Sequence, residues 1–281
     1  MYTGSTKCPR VSPMSIVLGI DVGGSGVKGA PVNLEEGGFA EKRLRIPTPE
    51  KSTPKNVAKV IGEIVSHFAD RVSDGPIGLT IPAPVQHGKV PFIANLDQSW
   101  TGLQADEFFS DKLGRQVVLV NDADAAGLAE VHFGAAKGHP GLVILTTLGT
   151  GIGAAIIHRG VLIPNAELGH LEIDGYDAEK RAASSAKDRE GLSYPEWAKR
   201  LQRYYSFVEM LFSPDLFVVG GGVSRDSDQF LPLLRLKTPI VPAKLRNKAG
   251  IIGAAWAAQE AAEHPDPVTA PPAGTEADEA P

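Results

Sequence analysis

The chain has 281 residues, of which 42% are hydrophobic, a length that suits one large or two ordinary domains with buried cores. Its 28 basic and 33 acidic residues, net charge −5, provide no global positive field and argue against a general nucleic-acid binder. A single cysteine, Cys8, excludes an internal disulfide and a multi-cysteine zinc site, and with no apolar run of membrane-spanning length the chain is expected to be soluble and cytoplasmic, with no membrane partner.

Residues 1–15 lack the apolar centre of a signal peptide and are expected to form a loose tail. Ile16 to Ala30 reads as an apolar, β-branched strand ending near Asp21, a turn holding Gly23, Gly24, Ser25 and Gly26, and a second strand with Lys28. Glycines leave backbone N–H groups unshielded and free to take positive φ, so this turn can wrap a phosphate while Lys28 supplies a cation. A glycine-rich hairpin with no ligand is the alternative. Two better-known phosphate loops are excluded. Gly24 to Gly29 matches G-x-G-x-x-G, but Pro31, Asn33 and Gly37-Gly38 leave no room for the helix that pattern requires, and Gly29 stands where a P-loop places Ser or Thr.

Further along, Lys55 to Val72 has the apolar spacing of a core helix, and Ile77 to Ile81 is a strand stopped by Pro82-Ala83-Pro84. Val90 to Trp100 carries Asn95 in a polar loop; Phe108 to Leu113 looks helical and Val117 to Val120 is a short buried strand. Asn121-Asp122-Ala123-Asp124 then precedes a helix-like Ala125 to Phe133. Asp122 reads either as the N-cap of that helix or as a carboxylate at the end of a parallel strand, where α/β proteins bind ligands and where it can accept the proton of an attacking hydroxyl. Leu142 to Ile157 repeats the strand, turn and strand design, with Thr147, Gly149, Thr150, Gly151 and Gly153 in its turn, which suggests two similar halves. Val161 to Leu171 holds Glu167 and His170, and Asp174 to Arg189 reads as a charged, partly mobile insertion before a long helix at Tyr194 to Phe212. A strand at Leu216 to Val219 runs into Gly220-Gly221-Gly222, which is either another close backbone approach to a ligand or only a tight turn into a helix. Ala249 to Glu263 is a small-residue helix, and the Pro, Ala and acids of 264–281 are expected to be disordered.

Five stretches, Asp21 to Lys28, Asn121-Asp122-Ala123, Leu148 to Gly153, Glu167-Leu168-Gly169-His170 and Gly220 to Val223, resemble in this order the motifs of ROK-family sugar kinases, over about Leu18 to Ala258. Within that family, Glu167 to Glu179 is similar to the corresponding segment of polyphosphate glucokinases and polyphosphate/ATP glucomannokinases. The resemblance implies an α/β, actin/hexokinase-like (ribonuclease H-like) fold. Its two domains are expected at 16–123 and 124–248 with a cleft between them, and the helix at 249–263 is expected to pack back across their junction. It also implies that the hexose hydroxyls fall to Asn95, Asn121, Asp122, Glu167, His170 and Glu179, with Glu172 the alternative to Glu179, and that the protein is a monomer or homodimer. Much of the family follows this His with cysteines that bind structural zinc. None occurs after Cys8, so no zinc is expected and His170 is left for the sugar.

The activity expected is phosphoryl transfer to the 6-hydroxyl of glucose, and of mannose, from inorganic polyphosphate, ATP or both. Asp122 would be the general base. The turns at Asp21 to Lys28, Thr147 to Gly153 and Gly220 to Gly222 would grip the donor phosphates, with Asp21 holding Mg²⁺. A long polyanion calls for a basic track, for which Lys187, Arg189, Lys199, Arg200, Arg203, Lys244, Arg246 and Lys248 are candidates, although charge runs are usually just solvated faces. Rival readings are a ROK kinase for fructose, allose or an N-acetylated amino sugar using ATP, a sugar-sensing repressor, and a non-enzymatic actin-like assembly protein. The twenty or so residues ahead of Asp21 are too few for a repressor's helix-turn-helix, and an assembly protein would not need Asn121-Asp122 together with Glu167 and His170.

Overall fold

A computed structural model of the chain describes residues 16–72 and 74–264. The tails expected to be disordered, 1–15 and 264–281, lie outside these residues apart from His264.

Two mixed sheets carry the fold, and they share one plan. In the first, β1 (Ile16–Gly23) and β2 (Gly26–Asn33) form a hairpin. The short β3 (Gly38–Phe39) and β4 (Leu44–Ile46) extend it antiparallel from β2, and β5 (Ile77–Ile81) and β6 (Val117–Asn121) add on parallel beside β1, giving the order β3-β2-β1-β5-β6. In the second, β7 (Leu142–Leu148) and β8 (Ile152–His158) form the hairpin and β9 (Val161–Ile163) extends it. A minor hairpin, β10 (Glu172–Ile173) with β11 (Tyr176–Asp177), lies apart from it. Parallel β12 (Leu216–Gly220) and β13 (Ile240–Pro242) complete the order β13-β12-β7-β8-β9. Read outward from each hairpin, the two orders match, so the two glycine turns occupy equivalent places in two α/β lobes.

Helices cover the sheets through apolar faces. α1 (Pro54–His67) is capped by Thr53 and buries Val57, Ile61 and Ile64 against the first sheet, where α2 (Ala105–Leu113) adds Phe109. It stops at His67 rather than running to Val72, because the chain tightens into a 3₁₀ turn at Ala69–Arg71. On the second sheet, α6 (Tyr194–Phe212) opens with a Ser193–Glu196 capping box and buries Trp197, Leu201, Tyr204, Tyr205 and Val208. The segment expected to be a partly mobile insertion is built into that core: β11, α4 (Ala178–Ala182) and α5 (Ser184–Glu190) follow one another there and bury Ala178, Ala182, Ala183 and Ala186.

Between the sheets lie α3 (Asp122–Phe133) and α7 (Ala249–Glu263), packed on each other, with α7 also against β1 and β5 and α3 against β8. The approach is close because glycines line it. A Cβ on Gly19 would overlap the Ile251 backbone, one on Gly78 the Ala254 backbone, and one on Gly253 the Ala125 backbone. Among the described residues no helix is long and apolar enough to cross a membrane.

Candidate active site

The first glycine turn closes between Gly23 and Gly26 and is braced from outside, with Thr48 Oγ1 donating to the Gly23 carbonyl at 2.5 Å and Arg45 Nη2 to the Ser25 carbonyl at 2.9 Å. None of its glycines uses its freedom to take positive φ. What Gly26 supplies is room, since a Cβ there would press on the Arg45 guanidinium at 2.9 Å. Strand register sets Asp21 opposite Lys28, and the two form an ion pair at 2.9 Å, while the other Asp21 oxygen accepts from Thr80 Oγ1 at 3.1 Å. Lys28, expected to meet a phosphate, therefore also steadies Asp21. Thr80 had no sequence signal, being one hydroxyl inside an apolar strand.

The second turn is tied down by the start of α5. Ser184 Oγ donates to the Gly149 carbonyl at 3.0 Å and Ser185 Oγ to that of Thr150 at 2.6 Å. Glu179 closes it from the side, accepting from the Ile152 N–H at 3.1 Å, so tightly that a Cβ on Gly151 would overlap its carboxylate. Gly221 stands at φ +82°, and a Cβ there would overlap the Leu148 backbone, so this position of the third turn demands glycine.

Where β6 ends and α3 begins, the cap is Asn121 rather than Asp122. Asn121 Oδ1 accepts from the N–H groups of Ala123 at 2.8 Å and Asp124 at 3.1 Å, and its Nδ2 donates to the Ala83 carbonyl at 3.1 Å, leaving one amide N–H for a ligand. Asp122 Oδ1 also accepts from the Ala123 N–H, at 2.8 Å, and the residue lines the cleft. The cleft walls crowd its carboxyl, and Asp21 and, more weakly, Glu167 add negative charge, which together push it up to about 6. Burial likewise raises Glu167, with His170 opposing and Glu179 reinforcing the shift. Asp124, two residues further and buried, is pushed up to about 7, first by burial; the N–H of Asn165 donates to its Oδ2 at 2.8 Å.

Two cavities meet at Asp122. The larger, about 370 Å³, is lined by all six residues expected to face a hexose, Asn95, Asn121, Asp122, Glu167, His170 and Glu179, together with Pro82 to Pro84, Phe92 and the loop at Gly149 to Gly153. Glu172 is exposed on β10 and is not part of this wall. His170 Nδ1 lies 3.3 Å from Asp177, and its Nε2 is 4.0 Å from Glu167. The second cavity, about 310 Å³, is lined by Asp21, Lys28, Asp122, Thr147, Gly220 and Gly221, with Arg43, Arg246, Asn247 and Gly250. Asp122, Thr147 and Gly221 belong to both. Gly23, Gly24, Ser25, Gly26 and Gly222 line neither.

The basic track looks different in three dimensions. Lys187 meets Asp188 at 3.2 Å, Arg189 meets Glu190 at 3.2 Å, Arg200 meets Glu190 at 2.6 Å and Arg203 meets Asp174 at 2.7 Å, so half of the eight candidates face acids. Of the eight, Arg246 alone lines the second cavity. The backbone just ahead of it is held by buried Glu130, whose carboxylate accepts the N–H groups of Lys244 at 3.1 Å and Leu245 at 2.6 Å. Opposite it stands Arg43, which no motif marked, donating to the Asn247 carbonyl at 3.3 Å.

Comparison with known proteins bears on this geometry. Residues 17–188 match the model of the ROK family. The chain is 51% identical over 254 residues to the polyphosphate glucokinase of Mycobacterium tuberculosis, covering 90% of this chain and 95% of that protein. It is 47% identical over 266 residues to the polyphosphate glucokinase of Mycobacterium leprae, covering 91% and 81%. Among solved structures, the inorganic polyphosphate/ATP-glucomannokinase of Arthrobacter sp. strain KM superposes with a TM-score of 0.82 at 51% identity, over 87% of this chain and 98% of that one.

Proposed function

This chain belongs to the ROK family, and from that premise we propose that it is a glucokinase transferring a phosphoryl group from inorganic polyphosphate to the 6-hydroxyl of glucose. The observation that carries the mechanism is the sharing of Asp122 between the two cavities: a sugar in the larger one and a phosphoanhydride in the smaller one would meet at its carboxylate. Two further substrates, mannose as acceptor and ATP as donor, extend the proposal on the strength of the likeness to the Arthrobacter enzyme.

Phosphoryl transfer asks a protein mainly for positioning and charge. In the larger cavity, Glu167, His170, Glu179, Asn95 and the spare N–H of Asn121 offer donors and acceptors to sugar hydroxyls, while Phe92 and Pro82 to Pro84 give the ring an apolar wall. Asp122, raised to about 6, is largely ionised at neutral pH and basic enough to accept the hydroxyl proton as the new O–P bond forms. In the smaller cavity, Lys28, Arg43 and Arg246 supply the cations that offset the donor's charge, and Thr147 with the Gly220-Gly221 backbone supplies close polar contacts.

Magnesium fits the donor side. Asp21 and Asp122 are two acids near enough for one to raise the other, a repulsion that a divalent cation beside Asp21 would relieve. Asp21 keeps lone pairs beyond those used by Lys28 and Thr80. Bound there with the donor phosphates, the ion would neutralise charge on the phosphoryl group in flight.

The test is Asp122→Asn assayed with glucose and polyphosphate. Loss of turnover with glucose binding retained supports the assignment, and turnover near that of the unaltered protein rejects it.

A further inference from the structure

We propose that Asn165 is the latch that holds the two lobes together over the sugar cavity, acting as a positioning residue; the proposal rests on the sugar-kinase reading. Asn165 lies between β9 and the turn that carries Glu167 and His170, on the lobe of the second sheet. Its side-chain amide faces Val85, on the loop that leaves β5 in the other lobe. The Val85 N–H donates to Asn165 Oδ1 at 2.7 Å, and Asn165 Nδ2 donates to the Val85 carbonyl at 2.8 Å.

An amide that pairs in both directions with the backbone of one residue reproduces a rung of a strand ladder with a single side chain. Asn and Gln alone carry a donor and an acceptor side by side in this way. The backbone of Asn165 is anchored as well, its N–H donating to Asp124 Oδ2 at 2.8 Å in the first turn of α3. The residue stands at φ +62°, the left-handed region that Asn tolerates better than most side chains, so its conformation also suits its place.

One residue thus ties three segments: the loop bearing Pro82 to Pro84, the loop bearing Glu167, and the helix that begins with Asp122. All three are walls of the same cavity. Parting them would widen the sugar site and admit water, which competes with the sugar for the phosphoryl group.

The full chain and its Asn165→Gly variant, which accepts the positive φ and lacks only the amide, test this in steady-state assays varying glucose and polyphosphate separately. The latch predicts a KM for glucose raised about tenfold or more, from two lost hydrogen bonds, with the KM for polyphosphate within about twofold. Phosphate released without glucose 6-phosphate formation should rise relative to transfer. An unchanged glucose KM overturns the proposal, as does a parallel rise of both KM values with a lowered melting temperature, which would mark a merely structural role. Should N165G fail to fold, Asn165→Asp keeps the bond from the Val85 N–H and loses the one to its carbonyl; the same split at smaller amplitude is expected, and no split overturns the proposal. An unaltered protein that phosphorylates no hexose would instead remove the kinase reading itself, so the two failures are distinguishable.

Discussion

Changing Glu167 to Gln removes a negative charge beside Asp122, and the pH profile of turnover reads the consequence. Burial within the cleft walls is the first cause of the raised Asp122 value of about 6; the charge of Asp21 is next among the raising causes, and that of Glu167 is weaker. A base must be ionised to accept a proton. About 90% of Asp122 is ionised at pH 7 and about 10% at pH 5, so kcat/KM should fall about tenfold per unit on the acid side of 6. An aspartate at its ordinary 3.8 would leave the rate almost untouched at pH 5. The terminal phosphate of the donor titrates in the same range, so the limb is assigned by its displacement rather than its position. Initial rates of glucose 6-phosphate formation between pH 4.5 and 8 at constant ionic strength should show the limb moving to lower pH in E167Q. A limb that stays in place in E167Q, or one centred near 4 in the unaltered protein, would refute the reasoning.

Asp122→Ala should keep glucose binding measurable by calorimetry while turnover drops by about three orders of magnitude, the contribution of a positioned base. Asp124, raised to about 7, holds a proton in the folded chain that the unfolded chain releases near 4. Its stabilisation is thus complete below about pH 4 and is lost as pH rises through 7, by on the order of 4 kcal/mol at most; denaturant unfolding of Asp124→Asn at pH 5 and pH 8 should show a flatter dependence than the unaltered protein. Arg43→Ala and Arg246→Ala should each weaken polyphosphate binding and shallow its salt dependence, with glucose affinity unchanged in titrations from 50 to 300 mM salt. Gly253→Ala places a methyl group against the Ala125 backbone and should lower unfolding stability by about 2 kcal/mol or more, measured by denaturant titration.

Much of the frame was legible because local patterns encode it. Both hairpins announce themselves through β-branched runs broken by glycine, and α1 and α6 through apolar spacing with a cap. The six residues expected to face a sugar were reached through a resemblance of motifs, and the fold gathers them on one cavity. What stayed hidden depends on partners distant in the chain. Asn121 and Asp122 are equally good caps by residue type, and only the register of β6 into α3 decides which one turns inward. Arg43 and Arg246 stand 203 positions apart and line one cavity only because both lobes fold. Asn165 looks like any loop asparagine until Val85, 80 residues earlier, is beside it. The basic track misled for the same reason: a count of cations does not reveal that Glu190 and Asp174 will sit against Arg200 and Arg203.

The account turns on a sugar and a phosphate chain meeting at Asp122, and hexose 6-phosphate formation tests that most directly, measured across glucose, mannose and fructose with polyphosphate and with ATP. The account predicts product from glucose and mannose with polyphosphate, product with ATP as well, and little from fructose. No glucose 6-phosphate with either donor would contradict it.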